Sequence, residues 1–302
     1  MALRLEGHVD LPPHRGAGGF DHADVHRARR RLYVAHTVND ALDVVDLDAG
    51  ACIGSIGGLA GVAGALVSEQ LDLVFSSDRG AGPVSVIEPG DDRVLATVPV
   101  GERPNGLAFD PGRGLLLAAT VAEPYTLAVV DVAAAEVRAS IPAPGRTRWA
   151  VHDPVADAFF VNIADPAVIA VVDAADPTRI ARTIAVPAAG PHGLDLDADG
   201  RLYCAADAGR LLVLEPPDYA VVADLPLGGS PDVIFLDVAL GLLFVAIGDP
   251  GLLEVIDVRA RRRVETVATE KGAHTLALDA AEHRVHVFLP GSCRAAVYRA
   301  TA

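Results

Sequence analysis

The sequence has 302 residues, of which 51% are hydrophobic, and 25 basic against 40 acidic residues give a formal net charge of −15. Such a charge repels nucleic acids, so we expect no nucleic-acid partner. No apolar run approaches the roughly 18 residues that span a bilayer, and no basic segment followed by an apolar one opens the chain. We therefore expect no membrane partner and a cytoplasmic location, or a periplasmic or secreted one if residues have been removed from the N-terminus.

The first predicted strand is LRLEGHVDL (Leu3 to Leu11), which resembles later segments such as RVLATVPVG. Seven similar units follow it. Six units carry an apolar pair followed by an acid, and the last unit carries a degenerate copy of this marker. The marker residues are Asp46, Glu88, Asp131, Asp173, Glu215, Asp257 and Arg299, at steps of 42 or 43 residues. A constant period of this length is the signature of a repeat architecture.

Each unit contains four short apolar or alternating runs separated by Gly, Pro and Asp turns, which predicts four strands and almost no helix. In the third unit the predicted strands are Gly106 to Asp110, Leu115 to Thr120, Leu127 to Val132 and Val137 to Ala143. Four strands per unit of about 42 residues are typical of a propeller blade. We therefore predict an all-β, seven-bladed β-propeller with four antiparallel strands per blade.

The last unit ends after three strands, the first of which is predicted at His274 to Asp279. The N-terminal segment Leu3 to Leu11 is predicted to supply the missing outer strand and to close the ring, which leaves only short protected edges. This closure predicts one domain over residues 1–302, and we expect a monomer.

The units resemble the YVTN repeat of the YncE-like propellers. The segments that carry the resemblance are RLYVAHTVNDALDVVDLDAG, RVLATVPVGERPNGLAFDPGRGLLLAAT and GAHTLALDAAEHRVHVFL. The resemblance covers essentially the whole chain. GPHGL (Gly190 to Leu194) also resembles repeats of the streptogramin B lyase group. Related propellers include surface proteins, lyases, lactonases and binding modules, so the resemblance implies the fold and leaves the function open.

In such a fold the first strand of each blade lines a central channel, and ligands gather at the end where these strands begin, which we name the channel mouth. The equivalent residues at that level are Asp21, Ala63, Asn105, Arg148, His192, Asp232 and His274, with His22 and Trp149 beside them. Six of these seven positions are polar or ionisable, whereas a purely structural ring would converge on small or apolar residues. The channel mouth is therefore the predicted site.

At the ends of the second strands, one turn further out, lie His36, Asp78, Glu123, Asp165, Asp207 and Asp249. An aspartate at this position typically caps a turn, whereas His36 departs from the series. We hypothesise that His22, His36, His192 and His274 hold a divalent metal of unknown identity, since neutral imidazoles suit such ions. His26, His152 and His283 fall near the opposite end of the channel and are predicted to be exposed turn residues.

The function hypothesis is a small-molecule-binding propeller, with Asp21, Asn105, Arg148 and Trp149 contacting the ligand. If the protein is an enzyme, the resemblance implies a metal-assisted lyase or a lactone or ester hydrolase. His192, His274 and Asp232 would then be catalytic. The alternative is a non-catalytic binding or protein-interaction scaffold of the YncE-like type.

Overall fold

The computed structural model describes residues 2–301 and contains seven four-stranded antiparallel sheets. Within these residues the helical structure is one turn of 3-10 helix at Thr37–Asn39. No helix in the described part of the chain is long and apolar enough to cross a bilayer. The prediction of an all-β, seven-bladed propeller with almost no helix is confirmed.

Seven strands occupy the innermost position of their sheets, and each contacts the innermost strand of the next sheet, so that they form a closed ring. These strands are β2 (Phe20–His26), β6 (Val62–Ser68), β10 (Pro104–Asp110), β14 (Thr147–Asp153), β18 (Pro191–Leu196), β22 (Pro231–Asp237) and β26 (Leu276–Asp279). They line the central channel. Blades are numbered 1 to 7 in this order.

The two middle strands of each blade are mostly buried on both faces, which is why they are apolar runs in the sequence. The second strands are β3 (Arg31–His36), β7 (Leu73–Asp78), β11 (Leu115–Thr120), β15 (Ala158–Ile163), β19 (Leu202–Ala206), β23 (Leu242–Ile247) and β27 (Arg284–Leu289). The third strands are β4 (Ala41–Asp46), β8 (Pro83–Glu88), β12 (Thr126–Asp131), β16 (Val168–Asp173), β20 (Arg210–Glu215), β24 (Leu252–Asp257) and β28 (Arg294–Thr301).

The outer strands face solvent and bury few residues. They are β5 (Ala51–Gly57), β9 (Arg93–Pro99), β13 (Glu136–Pro142), β17 (Arg182–Ala185), β21 (Ala220–Pro226), β25 (Arg262–Ala268) and β1 (Ala2–Asp10). Seven clusters of buried apolar side chains form the core, and several of them join neighbouring blades. Burial between sheets therefore links each blade to the next.

The predicted closure is confirmed, because β1 pairs antiparallel with β28 and completes the sheet β1-β28-β27-β26. The pairing runs from Ala2 opposite Thr301 to Asp10 opposite Arg294. On β1 the side chain of Val9 is buried and that of Leu5 is exposed. The strands of the third unit also match their predicted positions, with β11 identical in both bounds and β10 beginning at Pro104 instead of Gly106.

Candidate functional site

The channel mouth is built on a repeated β-bulge. In six of the seven blades the innermost strand carries one extra residue relative to the second strand near its first residues. The bulges contain the predicted site positions Asp21, Ala63, Asn105, Arg148, His192 and Asp232, whereas His274 lies just before β26. A bulge changes the direction of the side chains that it carries. Because the bulged position holds a different residue in each blade, the same local irregularity orients a different functional group in each.

Neighbouring innermost strands approach each other closely at these bulges, and glycine makes the approach possible. A Cβ atom on Gly193 would lie 2.3 Å from the carbonyl oxygen of Asp232 in the next blade. A Cβ on Gly106 would lie at the same distance from the carbonyl oxygen of Arg148. Real Cβ atoms do not approach backbone oxygens this closely, so the close packing requires glycine here.

His192 is held between two carboxylates from different elements. Its Nδ1 atom lies 2.8 Å from Oδ1 of Asp207, and its Nε2 atom lies 3.0 Å from Oδ1 of Asp232. The side chain is only 14% exposed, and burial by itself would lower the pKa of the imidazole. The negative charge of Asp232 and the hydrogen bonds to both carboxylates outweigh burial and raise the pKa of His192 to about 9. At neutral pH His192 is therefore an imidazolium that donates from both ring nitrogens.

Asp232 shows the reciprocal effect. Burial by itself would raise the pKa of its carboxyl, but the nearby imidazole of His192 and the more distant His274 and His22 hold the pKa far below its usual value. Asp207, which the sequence interpretation assigned to turn capping, instead bonds His192 and accepts a hydrogen bond from Ser230. Its pKa is lowered as well, since the interaction with His192 outweighs burial.

Two arginines complete the channel mouth. Nη2 of Arg148 lies 3.3 Å from Oδ2 of Asp207, and Nη2 of Arg79 donates to Oδ2 of Asp21 at 2.6 Å and to Oδ1 of Asn105. The Nε atoms of Arg79 and Arg148 are both buried and have no hydrogen-bond partner within residues 2–301. Burial and the charge of Arg146 lower the pKa of Arg148.

Arg79 was missed by the sequence interpretation. Arg79 follows Asp78 in the loop after the second strand of blade 2. The comparison of the repeats used only the start of each first strand and one position at the end of each second strand, so it did not include this loop. The guanidinium reaches from this loop to blades 1 and 3. An arginine in a loop that faces the mouth is the signal that could have found it.

Trp149 lies inside the channel, directly below the mouth. Its ring centroid is 4.2 Å from that of His22 and 6.0 Å from that of Phe235. Burial lowers the pKa of His22, whose Nε2 atom is 3.3 Å from Oδ1 of Asp21. Trp149 therefore packs across the channel from blade 4 towards blades 1 and 6.

A cavity of about 420 Å³, here named the channel cavity, lies on the other side of Trp149. Asp24 and Asp195 line it, and burial raises their pKa values to about 6 and about 7 respectively. Each carboxylate accepts a backbone N–H from the next innermost strand, Asp24 from Val67 at 2.8 Å and Asp195 from Leu236 at 2.7 Å. These bonds tie adjacent blades together along the channel.

The hydrogen bonds of two of the predicted histidines go to groups other than His192, Asp207 and Asp232. His36 is fully buried, with Nδ1 at 2.7 Å from Oδ2 of Asp43 and Nε2 at 2.6 Å from Nδ1 of His14. It joins the segment before β2 to blade 1. Nδ1 of His274 donates to the carbonyl oxygen of Gly272 at 2.8 Å. Within residues 2–301 no cluster of three close potential metal ligands includes His22, His36, His192 or His274, so the metal assignment to them stays a prediction.

A different group brings three potential ligands together at the opposite end of the channel. One ligand atom each of Asp110, His152 and Asp157 lies within 4.8 Å of the others, so this group could hold a metal. The prediction that His26 and His152 are exposed turn residues is wrong. Their side chains are only 1% and 7% exposed, because neighbouring blades pack over them.

Neither a protein-family model nor a curated protein sequence matches the chain. Solved structures share its fold. A chain of the hydrazine synthase of Kuenenia stuttgartiensis superimposes with a TM-score of 0.83 at 15% identity, covering 97% of both chains. A chain from the mitotic checkpoint complex superimposes with a TM-score of 0.83 at 12% identity, covering 99% of this chain and 92% of that one. At such low identity the likeness shows the seven-bladed propeller fold alone.

Proposed function

We propose that this propeller is a binding protein for a small molecule that carries a carboxylate, and that the ligand sits at the channel mouth. One observation carries the proposal, namely the two buried Nε–H donors of Arg79 and Arg148 that have no partner in the described chain. A buried donor without an acceptor costs about 1–3 kcal/mol, and more when it belongs to a charged group. An oxygen acceptor within hydrogen-bond distance of these N–H groups would remove that cost.

The surroundings of the two arginines support an anionic acceptor. Asp207 and Asp21 hold the Nη atoms of Arg148 and Arg79, so both guanidinium planes are oriented before a ligand arrives. The imidazolium of His192 adds a third positive charge, and its Nε2 atom lies 3.0 Å from Nη1 of Arg148, a contact between two N–H donors that an anionic acceptor beside them would offset. Preorganised, partly buried cations favour a charged acceptor, and arginine suits carboxylates by its geometry.

The same geometry favours binding over metal-assisted catalysis by His192. An imidazolium held by two carboxylates has no lone pair for a metal and cannot accept a proton at neutral pH. The resemblance to YncE-like propellers, which include binding modules, is compatible with this role. We propose a small molecule as the partner and retain the lyase or hydrolase hypothesis as the competing function.

The test compares carboxylates with their neutral analogues. Propionate and succinate, against propionamide and succinamide, are titrated into the protein at low salt by calorimetry. We expect the carboxylates alone to bind, and Arg148→Gln and Arg79→Gln each to weaken binding by roughly tenfold or more. Arg93→Gln, which alters an exposed arginine on the outer strand β9, is the matched control and should leave binding unchanged.

Equal binding of amides and carboxylates, or full binding by both mouth variants, would refute the proposal. Turnover of a lactone or ester that is lost in His192→Gln would instead support the enzyme hypothesis.

A further inference from the structure

The Asp110–His152–Asp157 group lies at the end of the channel opposite the mouth. Asp110 ends β10 of blade 3, His152 lies near the end of β14 of blade 4, and Asp157 lies in the turn that follows β14. One ligand atom of each residue lies within 4.8 Å of the other two. The blade repeat brings Asp110 and His152 together, since both lie at the same level of adjacent innermost strands.

His152 is an unsatisfied polar side chain directed at this group. Its side chain is 7% exposed, and its Nε2 atom is buried without a hydrogen-bond partner in the described chain. Nε2 lies 3.9 Å from Oδ2 of Asp110, which is too far for a hydrogen bond. Burial lowers the pKa of His152 although Asp110, Asp157 and Asp153 oppose the shift and Arg113 adds to it. The geometry therefore leaves Nε2 of His152 open to a partner that residues 2–301 do not supply.

Arg113 supplies the only cation seen among these carboxylates within residues 2–301. Its Nη1 atom donates to Oδ2 of Asp110 at 2.9 Å and to Oδ1 of Asp157 at 2.7 Å, and its Nη2 atom donates to Oδ2 of Asp157 at 2.8 Å. The Arg113 side chain is 38% exposed, so it can turn out into solvent. The guanidinium satisfies both carboxylates but leaves Nε2 of His152 without a partner.

We propose that Asp110, His152 and Asp157 form a binding site for a divalent transition-metal ion of the Zn²⁺ class, in which the Arg113 guanidinium stands in for the metal. Two carboxylate oxygens and one imidazole nitrogen form a three-ligand set that suits Zn²⁺ and leaves a coordination position open. Ca²⁺ and Mg²⁺ are disfavoured, since they prefer more oxygen ligands. His152 also lines the channel cavity, so the ion would lie beside a space large enough for a small molecule.

This site does not depend on the proposed function, because its residues differ from Arg79, Arg148 and His192 at the mouth. The test is a Zn²⁺ titration of the full chain in competition with a chromophoric chelator. We expect one Zn²⁺ per chain and much weaker binding of Mg²⁺ and Ca²⁺. His152→Ala and Asp157→Asn should weaken Zn²⁺ binding by on the order of 100-fold.

Arg113→Gln is the decisive variant. Removing the competing guanidinium should tighten Zn²⁺ binding by on the order of tenfold, whereas a purely structural ion pair predicts no gain. His283→Ala is the matched control, because His283 pairs with Asp237 (Nδ1 to Oδ2, 2.6 Å) outside any three-ligand cluster of the described chain. It should leave the affinity unchanged.

Unchanged or weaker Zn²⁺ binding by Arg113→Gln would overturn the proposal, as would wild-type affinity in Asp157→Asn. Circular dichroism of each variant separates loss of the site from loss of the fold. Asp157 is a half-exposed turn residue, so Asp157→Asn keeps the test valid if His152→Ala does not fold.

Discussion

Nε2 of His192 in blade 5 lies 3.0 Å from Oδ1 of Asp232 in blade 6, and this pair joins two neighbouring innermost strands at the channel mouth. The pKa of the imidazole is raised and that of the carboxyl is lowered, so both groups are charged at neutral pH. Because most of both side chains is buried, the attraction is screened less than that of a surface ion pair. The pair therefore contributes to stability as well as to the electrostatics of the site.

The first prediction concerns the pH dependence of this contribution. The pKa of His192 is raised from 6.5 to about 9 in the folded protein, so its stabilisation is fully present below pH 6.5 and is lost as the pH rises through 9. His192→Gln should lower the free energy of unfolding by up to about 3 kcal/mol at pH 6. The difference from wild type should narrow at pH 10, as measured by urea denaturation.

His8→Gln is the control for this experiment, since His8 is an exposed residue on the outer strand β1. It should leave the free energy of unfolding within about 0.5 kcal/mol of wild type at both pH values. A His192→Gln deficit of the same size at pH 6 and pH 10 would contradict the assigned protonation state.

The second prediction uses Trp149, the only tryptophan, as a reporter of the channel cavity. Burial raises the pKa values of Asp24 and Asp195 from 3.8 to about 6 and about 7, so the folded state favours their neutral forms. Their ionisation therefore reduces stability as the pH rises from 3.8 through 7. We expect the tryptophan fluorescence to change with a midpoint between about pH 6 and 7.

Asp195→Ala should shift this fluorescence transition towards the lower pKa of Asp24. Asp199→Ala, which removes a solvent-exposed carboxylate from the neighbouring turn, should leave the transition unchanged. His22 also contacts Trp149, and burial lowers its pKa, so His22→Gln is measured beside Asp195→Ala to assign the transition. Constant emission between pH 5 and 8 would show that the two carboxyls titrate normally.

The third prediction concerns the close approach of blades 5 and 6. Gly193→Ala would place a Cβ atom 2.3 Å from the carbonyl oxygen of Asp232, so the two strands must separate. We expect a loss of more than about 2 kcal/mol in the free energy of unfolding, together with a lower pKa of His192 as Asp232 moves away. Thermal unfolding and an NMR titration of the histidines measure the two effects.

Gly54→Ala is the matched substitution in an outer strand, where a Cβ atom would meet no atom within 4 Å. It should be neutral or slightly stabilising, since alanine restricts the unfolded chain more than glycine does. Equal changes in the free energy of unfolding for the two substitutions would mean that the close contact between blades 5 and 6 at Gly193 does not require glycine.

The strand positions followed from the sequence because each depends on a local pattern. The run Leu115 to Ala119 is apolar and Thr120 ends the strand, since β11 is buried on both faces, and the bounds of β11 were predicted correctly. Leu3 to Leu11 was assigned to the outer strand of the last blade from its likeness to other outer strands, and β1 takes that place. The equivalence of Arg148, His192 and Asp232 also followed from the repeat alone.

The contacts between side chains could not be read from the repeat. Asp207 was expected to cap a turn, yet it bonds His192, because the bulge in β18 directs the imidazole towards the end of β19. His36 was expected at the mouth, yet it is enclosed by Asp43 and His14.

The sequence by itself determined the number of blades, the level of each innermost strand and the closure of the ring, because burial imposes the same apolar pattern on every copy. Only the tertiary structure decided which charged side chains contact each other. Arg79 reaches blades 1 and 3 because the ring places its loop between them. Asp110 lies close to His152 because the ring brings equivalent positions of adjacent blades to one level. The direction of each side chain there depends on bulges and on packing between blades. At the mouth these directions place Asp232 beside His192.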